Sequence, residues 1–297
     1  MTIKYNWQDL QKRIINGREV EKVMYNGVQI RPSWTPPTPT FDDYLYFQIQ
    51  PQGTCYLSLR KQGNPTDVSL EISYDKQTWT DYSVWSDIEI TQLTNIYFRN
   101  KSETPTWFSR YGQTFEYYYF HFEWDADVYC WWDVTSLLCK NWATTLIGSR
   151  CFASLFHDMP IITSPKLPAT TLTTSCYYNM FGYCRKLTTA PELPAITLAT
   201  SCYEDMFITC ESLTNIPLLP ALSILGKSYY QMFAWCTNIK LSETQTWDYQ
   251  NEYRIPYAGS GTTSSWTSLY NMFMDTWWTF TGTPNINQMY YTSNTVI

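Results

Sequence analysis

Histidine is nearly absent from this sequence: only His121 and His157 occur in 297 residues. That leaves little material for general acid–base chemistry or for imidazole-rich metal sites. Charge is scarce too, with Asp, Glu, Lys and Arg making up 15% of the chain, against about 25% in an ordinary globular protein. With 20 basic and 26 acidic residues, and a formal net charge of -6, there is no broad cationic surface for a phosphate backbone, so nucleic acid is set aside as a partner. No stretch approaches the about 18 consecutive apolar residues of a membrane span, and Met1 to Asn6 leads into polar Gln8 to Arg13 rather than an apolar export core. Membrane insertion is therefore not expected, and synthesis in the cytoplasm without a signal peptide is.

What the sequence has in abundance is aromatic residues, at 18%, including 25 Tyr and 14 Trp. Together with frequent Thr these replace the Lys, Glu and Ala of a helical protein and point to β-rich structure. The length favours two or three units with real hydrophobic cores. Nine cysteines are an odd number, and six of them fall between Cys151 and Cys236. A closed disulfide framework fits this poorly, so buried, reduced thiols are expected.

Residues 1–32 read as a small unit. Asn6 is placed to cap a short helix whose Trp7, Leu10 and Ile14 share one face. Asn16-Gly17 and Asn26-Gly27 are hairpin signals, so Arg13 to Ile15, Arg18 to Tyr25 and Val28 to Ile30 are expected to form a three-strand meander, with Val20, Val23, Tyr25, Val28 and Ile30 joining the helix residues as attachment positions. A meander this small buries too little by itself and is expected to dock on something else, another protein or the rest of its own chain. Four prolines between Pro32 and Pro39 make residues 33–40 a semi-rigid spacer. From 41 to 134, short strand-like runs alternate with turns: Tyr44 to Ile49, Cys55 to Leu59, Val68 to Tyr74, Ile88 to Ile90, Ile96 to Phe98 and Phe115 to Trp124. This spacing predicts an Ig-like β-sandwich. Tyr74 to Trp79 reads as a hairpin corner, with Leu70 and Ile72 facing inward on one arm and Trp79 on the other.

Beyond Thr135 the chain repeats. Leu155-Phe156, Met180-Phe181, Met206-Phe207 and Met232-Phe233 are 25, 26 and 26 positions apart, and Leu-Pro-Ala recurs at 167–169, 193–195 and 219–221. Cysteines keep step at Cys151, Cys176 and Cys202, and again at Cys184, Cys210 and Cys236. A further copy, Ser268 to Phe273, implies an insertion within 243–264. Each unit reads as a short helix capped by Ser175 or its equivalent, then an extended segment and a proline turn. The repeat core comprises Cys176, Met180, Phe181, Cys184, Cys202, Met206, Phe207, Cys210, Met232, Phe233 and Cys236, stacking as a leucine-rich-repeat-like solenoid over 135–297. The fold class that follows is mixed α/β but β-rich: an N-terminal helix with a meander, a sandwich, and a C-terminal solenoid.

The stretch from Ser175 to Ala195, SCYYNMFGYCRKLTTAPELPA, resembles the BspA-like leucine-rich repeats of bacterial surface proteins and of crAss-like phages infecting Bacteroidales. Leu70 to Trp79, with Tyr97 to Arg99, resembles the β domain that often precedes such repeats. Asn16 to Pro32 resembles the attachment motif of phage fibre and tail-associated proteins. The fourth copy departs from the pattern, since Ile239 to Ser242 lacks the Leu-Pro-Ala close.

Candidate chemistry is thin. The thiols are eight residues apart within a unit, wider than the close pairs typical of zinc sites, so small buried core residues are the better reading. His157-Asp158 belongs to no nucleophile motif. Glu123, Asp125 and Asp127 alternate at a strand end, which suits a solvated face better than a calcium site. No catalytic, cofactor or metal residue is assigned, and no enzyme activity is expected. The aromatic run from Tyr117 to Trp132 exceeds what one core face absorbs, because alternate strand residues point to opposite sides. Tyr117, Tyr119, Trp124, Trp131 and Trp132 are therefore the candidate interaction surface, for subunits or for sugar rings.

The resemblance, joined to the missing export segment, implies a bacteriophage virion structural protein, a head fibre or tail-associated component that recognises the host surface. Its expected partners are other virion proteins through residues 1–32, further copies of itself, and a host glycan or protein. A bacterial adhesin is the alternative. A glycan-active enzyme is remoter, because no paired carboxylates stand out.

Overall fold

A computed structural model describes residues 11–15, 18–25, 28–30, 44–64, 67–106, 108, 116–140, 145–276 and 279–297. It divides into two compact units, Met1–Thr40 and Phe41–Ile297. The mixed α/β expectation is overturned: among the described residues there is no α-helix, and the chain is β-rich with several small sheets. In the first unit, β1 (Gln11–Ile15), β2 (Arg18–Tyr25) and β3 (Val28–Ile30) form an antiparallel sheet, with Ile15 opposite Arg18 and Tyr25 opposite Val28. Ile14 is thus in a strand, not on a helix face, as suits a β-branched pair running into a tight hairpin. Asn6, Trp7, Leu10, both Asn-Gly pairs, the proline spacer and Phe115 lie outside the described residues.

The second unit begins with two facing sheets. The larger has the order β12-β11-β4-β9-β6-β7, from β4 (Leu45–Pro51), β6 (Leu70–Ser73), β7 (Thr80–Tyr82), β9 (Thr94–Asn100), β11 (Ala126–Trp131) and β12 (Ile161–Thr163). The smaller has β5 (Cys55–Gln62) between β10 (Tyr117–Glu123) and β8 (Ile88–Ile90). Alternation decides the core: Leu45, Phe47 and Ile49 are fully buried while Tyr46 and Gln48 between them are half-buried on the other face, and Leu57 and Leu59 are fully buried on β5, where Ser58 between them is buried as well. Phe47 and Phe98 meet Phe120 edge-on across the gap at 4.8 and 5.1 Å. Leu70 and Ile72 are buried, but Trp79 lies on the outer face, with the Arg99 guanidinium 3.8 Å above its ring and Tyr44 at its edge. The guanidinium over its face and the Tyr44 ring at its edge give the outward indole its packing partners.

The solenoid of helix-and-strand units is likewise not found. The segments expected to be helical are runs of tight turns, and the reason is visible in the backbone. An α-helix requires negative φ throughout, yet Ser175, Asn179 and Tyr183 have φ of 54, 51 and 64°, and the same positions of the other copies repeat this. Half of the amides bond three residues back, as Met180 does to the Tyr177 carbonyl. The alternate amides, of Ser175, Tyr177, Asn179, Phe181 and Tyr183, reach carbonyls of the next copy at Thr200, Cys202, Glu204, Met206 and Ile208, at 2.8–3.0 Å. Every N–H in the run is satisfied, but half of them only by a neighbouring copy.

The copies pack directly onto the sandwich. Phe120 of β10 stacks on Phe156, and Phe181, Phe207, Phe233 and Phe273 continue the column at 5.4–5.7 Å, with rings within 13° of parallel. A second column runs from Phe152 through Tyr177 and Tyr203 to Tyr229. One contiguous core therefore extends from Leu45 to Tyr290, crossing position 134 without a break. Parallel bridges from Thr145 to Thr171, Thr197 and Ser223 bind the proline-turn side of the copies. The insertion does not interrupt the turn column, since the amides of Tyr229, Gln231 and Phe233 bond carbonyls of Ser268, Tyr270 and Met272. Where the fourth copy lacks Leu-Pro-Ala, β13 (Leu241–Ser242) pairs antiparallel with β15 (Met289–Thr292), which also receives β14 (Asn251–Arg254) from the insertion.

Candidate functional site

The outward residues of β4, β9 and β11 fall in register across the larger sheet: Tyr46 lies opposite Tyr97 on one side and Trp131 on the other. The Tyr46 and Tyr97 rings stack at 4.9 Å, Tyr46 meets Trp131 at 5.2 Å, and Trp131 stacks on Tyr129 at 5.6 Å. Four half-buried rings thus make one continuous platform. Lys76 Nζ stands 5.1 Å over Tyr97, and one register step away the Gln48 amide donates to Asn95 Oδ1 at 3.3 Å. Burial, reinforced by Tyr97 and Cys130, pushes the Tyr46 hydroxyl up to about 12, and burial also raises Tyr97. Both therefore remain neutral donors near neutral pH.

The candidate surface residues separate in space. Trp131 belongs to the platform. Trp132 follows it at φ 66°, with Lys166 Nζ 4.8 Å from its ring. Trp124, at the tip of the β10–β11 hairpin and φ 77°, is 75% exposed. Tyr117 and Tyr119 face outward from the smaller sheet, their rings 6.2 Å apart. They line a cleft of about 250 Å³ with Gln62, Ser154, His157 and Asn179. The platform tyrosines Tyr46 and Tyr97 escape the aromatic-run signal because they come from separate strands. Only the pairing register puts them beside Trp131.

The repeat-core residues Cys176, Met180, Phe181, Cys184, Cys202, Met206, Phe207, Cys210, Met232, Phe233 and Cys236 are all fully buried. The thiols of Cys184, Cys210 and Cys236 donate to the carbonyls of Phe156, Phe181 and Phe207, each in the preceding copy, at 2.9–3.0 Å. Burial pushes the Cys202 thiol up to about 12, which opposes both metal ligation and nucleophilic reactivity. The thiol columns are thus built as core.

The carboxylates at the hairpin end are paired with cations. Lys186 Nζ reaches Asp125 at 2.7 Å and Asp127 at 3.6 Å, and Arg60 bonds Glu123 at 2.9 Å. Among the described residues no group of three or more His, Cys, Asp or Glu is arranged to hold a metal ion, and no helix is long and apolar enough to cross a membrane. For residues 11–30, which carry Ile14, Val20, Val23, Tyr25, Val28 and Ile30, the strands are described without their side chains.

Compared with family models, with curated proteins and with solved structures, the chain finds no match in any of the three.

Proposed function

We propose that this protein is a bacteriophage virion structural component, a head fibre or tail-associated protein, that carries a surface for recognising the host exterior. The observation that carries the reading is the aromatic platform of Tyr97, Tyr46, Trp131 and Tyr129. Contiguous neutral rings with hydroxyl donors and flanking amides suit the C–H faces and hydroxyl groups of sugars, and they equally suit a protein contact.

The separation of Met1–Thr40 from Phe41–Ile297 supports a division of labour. A three-strand meander is too small to hold an independent core, so residues 1–32 attach the chain to another virion protein while the larger unit is displayed. Assembly as a homo-oligomer belongs to the same reading.

The test has two arms. Mass spectrometry of gradient-purified particles should find the full-length chain, and a chain lacking residues 1–40 should be lost from particles while its larger unit melts as before. Replacing Trp131 and Tyr46 together by alanine should abolish binding of the purified chain to host cells. Equal incorporation of the shortened chain would remove the attachment role, and undiminished cell binding would remove the platform.

A further inference from the structure

The cleft beside β10 has walls from two parts of the larger unit. The outward face of the β10–β5 sheet supplies Tyr117, Tyr119 and Gln62, and the first two turn segments supply Ser154, His157 and Asn179. A backbone hydrogen bond from the Phe120 amide to the Leu155 carbonyl, at 2.7 Å, joins the walls, and the Phe120–Phe156 stack lies behind it. The cleft is therefore framed by fixed backbone rather than by loose loops.

Its lining is chemically uniform in one respect: every polar group is neutral. Two phenols, two carboxamides and a hydroxyl carry no charge, and burial lowers the proton affinity of His157 despite the opposing pull of Asp158. The imidazole then keeps one donor and one acceptor nitrogen. Groups of this kind donate and accept side by side, as the neighbouring hydroxyls of a sugar require. They offer no counter-charge to phosphate, carboxylate or ammonium. The two tyrosine rings stand at 61° to one another, forming a corner in which one face can stack on a ring and the other can close its edge.

Size sets the scale of the ligand. At about 250 Å³ the cleft is smaller than the about 300–1,000 Å³ typical of drug-sized ligands, so it holds one ring and not a chain of them. Asn179 is also specially placed. Its carboxamide occupies the space that a Cβ on Gly182 would need, and its Oδ1 is buried without a hydrogen-bond partner among the described residues. That oxygen packs against the Gly182 backbone, out of a ligand's reach, so it fixes the carboxamide in the wall while the side chain as a whole lines the cleft.

We infer that this cleft binds a single neutral monosaccharide unit of a host-surface glycan, with Tyr117 and Tyr119 against the sugar ring and Gln62, Ser154, His157 and Asn179 bonding its hydroxyls. The inference rests on the host-recognition reading and adds to it a second, smaller site with its own ligand class.

With only two histidines in the chain, selective imidazole labelling of the full-length protein yields a reporter in the cleft, His157, and an internal reference, His121. The probes are neutral methyl glycosides of glucose, galactose, mannose, fucose and N-acetylglucosamine, set against glucuronate, N-acetylneuraminate and inorganic phosphate. At least one neutral glycoside should shift His157 more than His121, saturating with a dissociation constant on the order of 1 mM. Asn179→Ala and Tyr119→Ala should each weaken it at least about tenfold, whereas Trp131→Ala on the platform should not change it. If Tyr119→Ala melts abnormally, Gln62→Ala takes its place.

Silence of His157 toward every neutral glycoside overturns the inference, as does a response confined to the anions or one undiminished in the cleft variants. Host-cell binding that persists through Trp131 and Tyr46 while His157 stays silent overturns the cleft alone. Saturable cleft binding by a chain absent from particles overturns the virion reading and leaves the cleft standing.

Discussion

Asp205 is the residue whose replacement tests the turn columns most sharply. It occupies the left-handed position equivalent to Ser154, Asn179, Gln231 and Asn271, at φ 57°. Its Oδ1 is buried without a hydrogen-bond partner among the described residues. Desolvation, with repulsion from Glu204, outweighs the attraction of Lys227 and the Tyr178 hydrogen bond and raises its pKa from 3.8 to about 7. The folded state thus holds this proton more tightly than the unfolded chain does. The favourable state is complete below about pH 4 and is lost as pH rises through about 7. At about 1.4 kcal/mol per pH unit the full penalty would approach about 4 kcal/mol. Because the carboxyl keeps partial access to solvent, which screens the effect, about 1–3 kcal/mol is expected. Asp205→Asn removes the ionisation, retains the shape, and places in the column a residue type that, among those with a Cβ, readily accepts positive φ. Urea unfolding of both proteins from pH 3.5 to 8 should show the variant gaining about 1–3 kcal/mol over the parent at the alkaline end and little at the acid end. Parallel pH profiles, or a variant less stable at pH 8, would refute the placement of this carboxyl.

Phe207→Ala removes a fully buried ring stacked at 5.5 Å on both Phe181 and Phe233, so urea unfolding should show a loss of about 3–5 kcal/mol; a loss under about 1 kcal/mol would mean that the column does not bear on stability. Gly182→Ala should cost about 1–3 kcal/mol by displacing the Asn179 carboxamide, and the larger part of that cost should vanish in the Asn179→Ala background, where only the 3.0 Å approach to Ile208 remains. Additive losses in that double-mutant cycle would disprove the contact. The nine cysteines, all buried, should resist a thiol reagent in folded protein and react together on unfolding. Rapid labelling of Cys176, Cys202 or Cys236 at neutral pH would show that the stack opens.

Composition and periodicity made several features legible. High aromatic and low charged content foretold β-rich structure. The strand runs at Tyr44 to Ile49, Cys55 to Leu59 and Ile88 to Ile90 fall on β4, β5 and β8. The recurrence of Met180-Phe181, Met206-Phe207 and Met232-Phe233 marked columns that the structure buries and stacks. The conformation within each copy was not legible. Spacings of four between Cys176, Met180 and Cys184 satisfy a helix and a run of four-residue turns equally well, because both return a side chain to one face at that interval. The choice between them lay with amides that find their acceptors about 25 residues away in the next copy, a partnership that local sequence cannot express. The platform is the same case. Tyr46, Tyr97 and Trp131 are unremarkable in three separate strands, and only the pairing register across β9, β4 and β11 makes them neighbours. Sequence determined which side chains are inward at each period. Tertiary structure decided where the backbone hydrogen bonds go and which outward rings meet, because both depend on contacts between segments far apart in the chain.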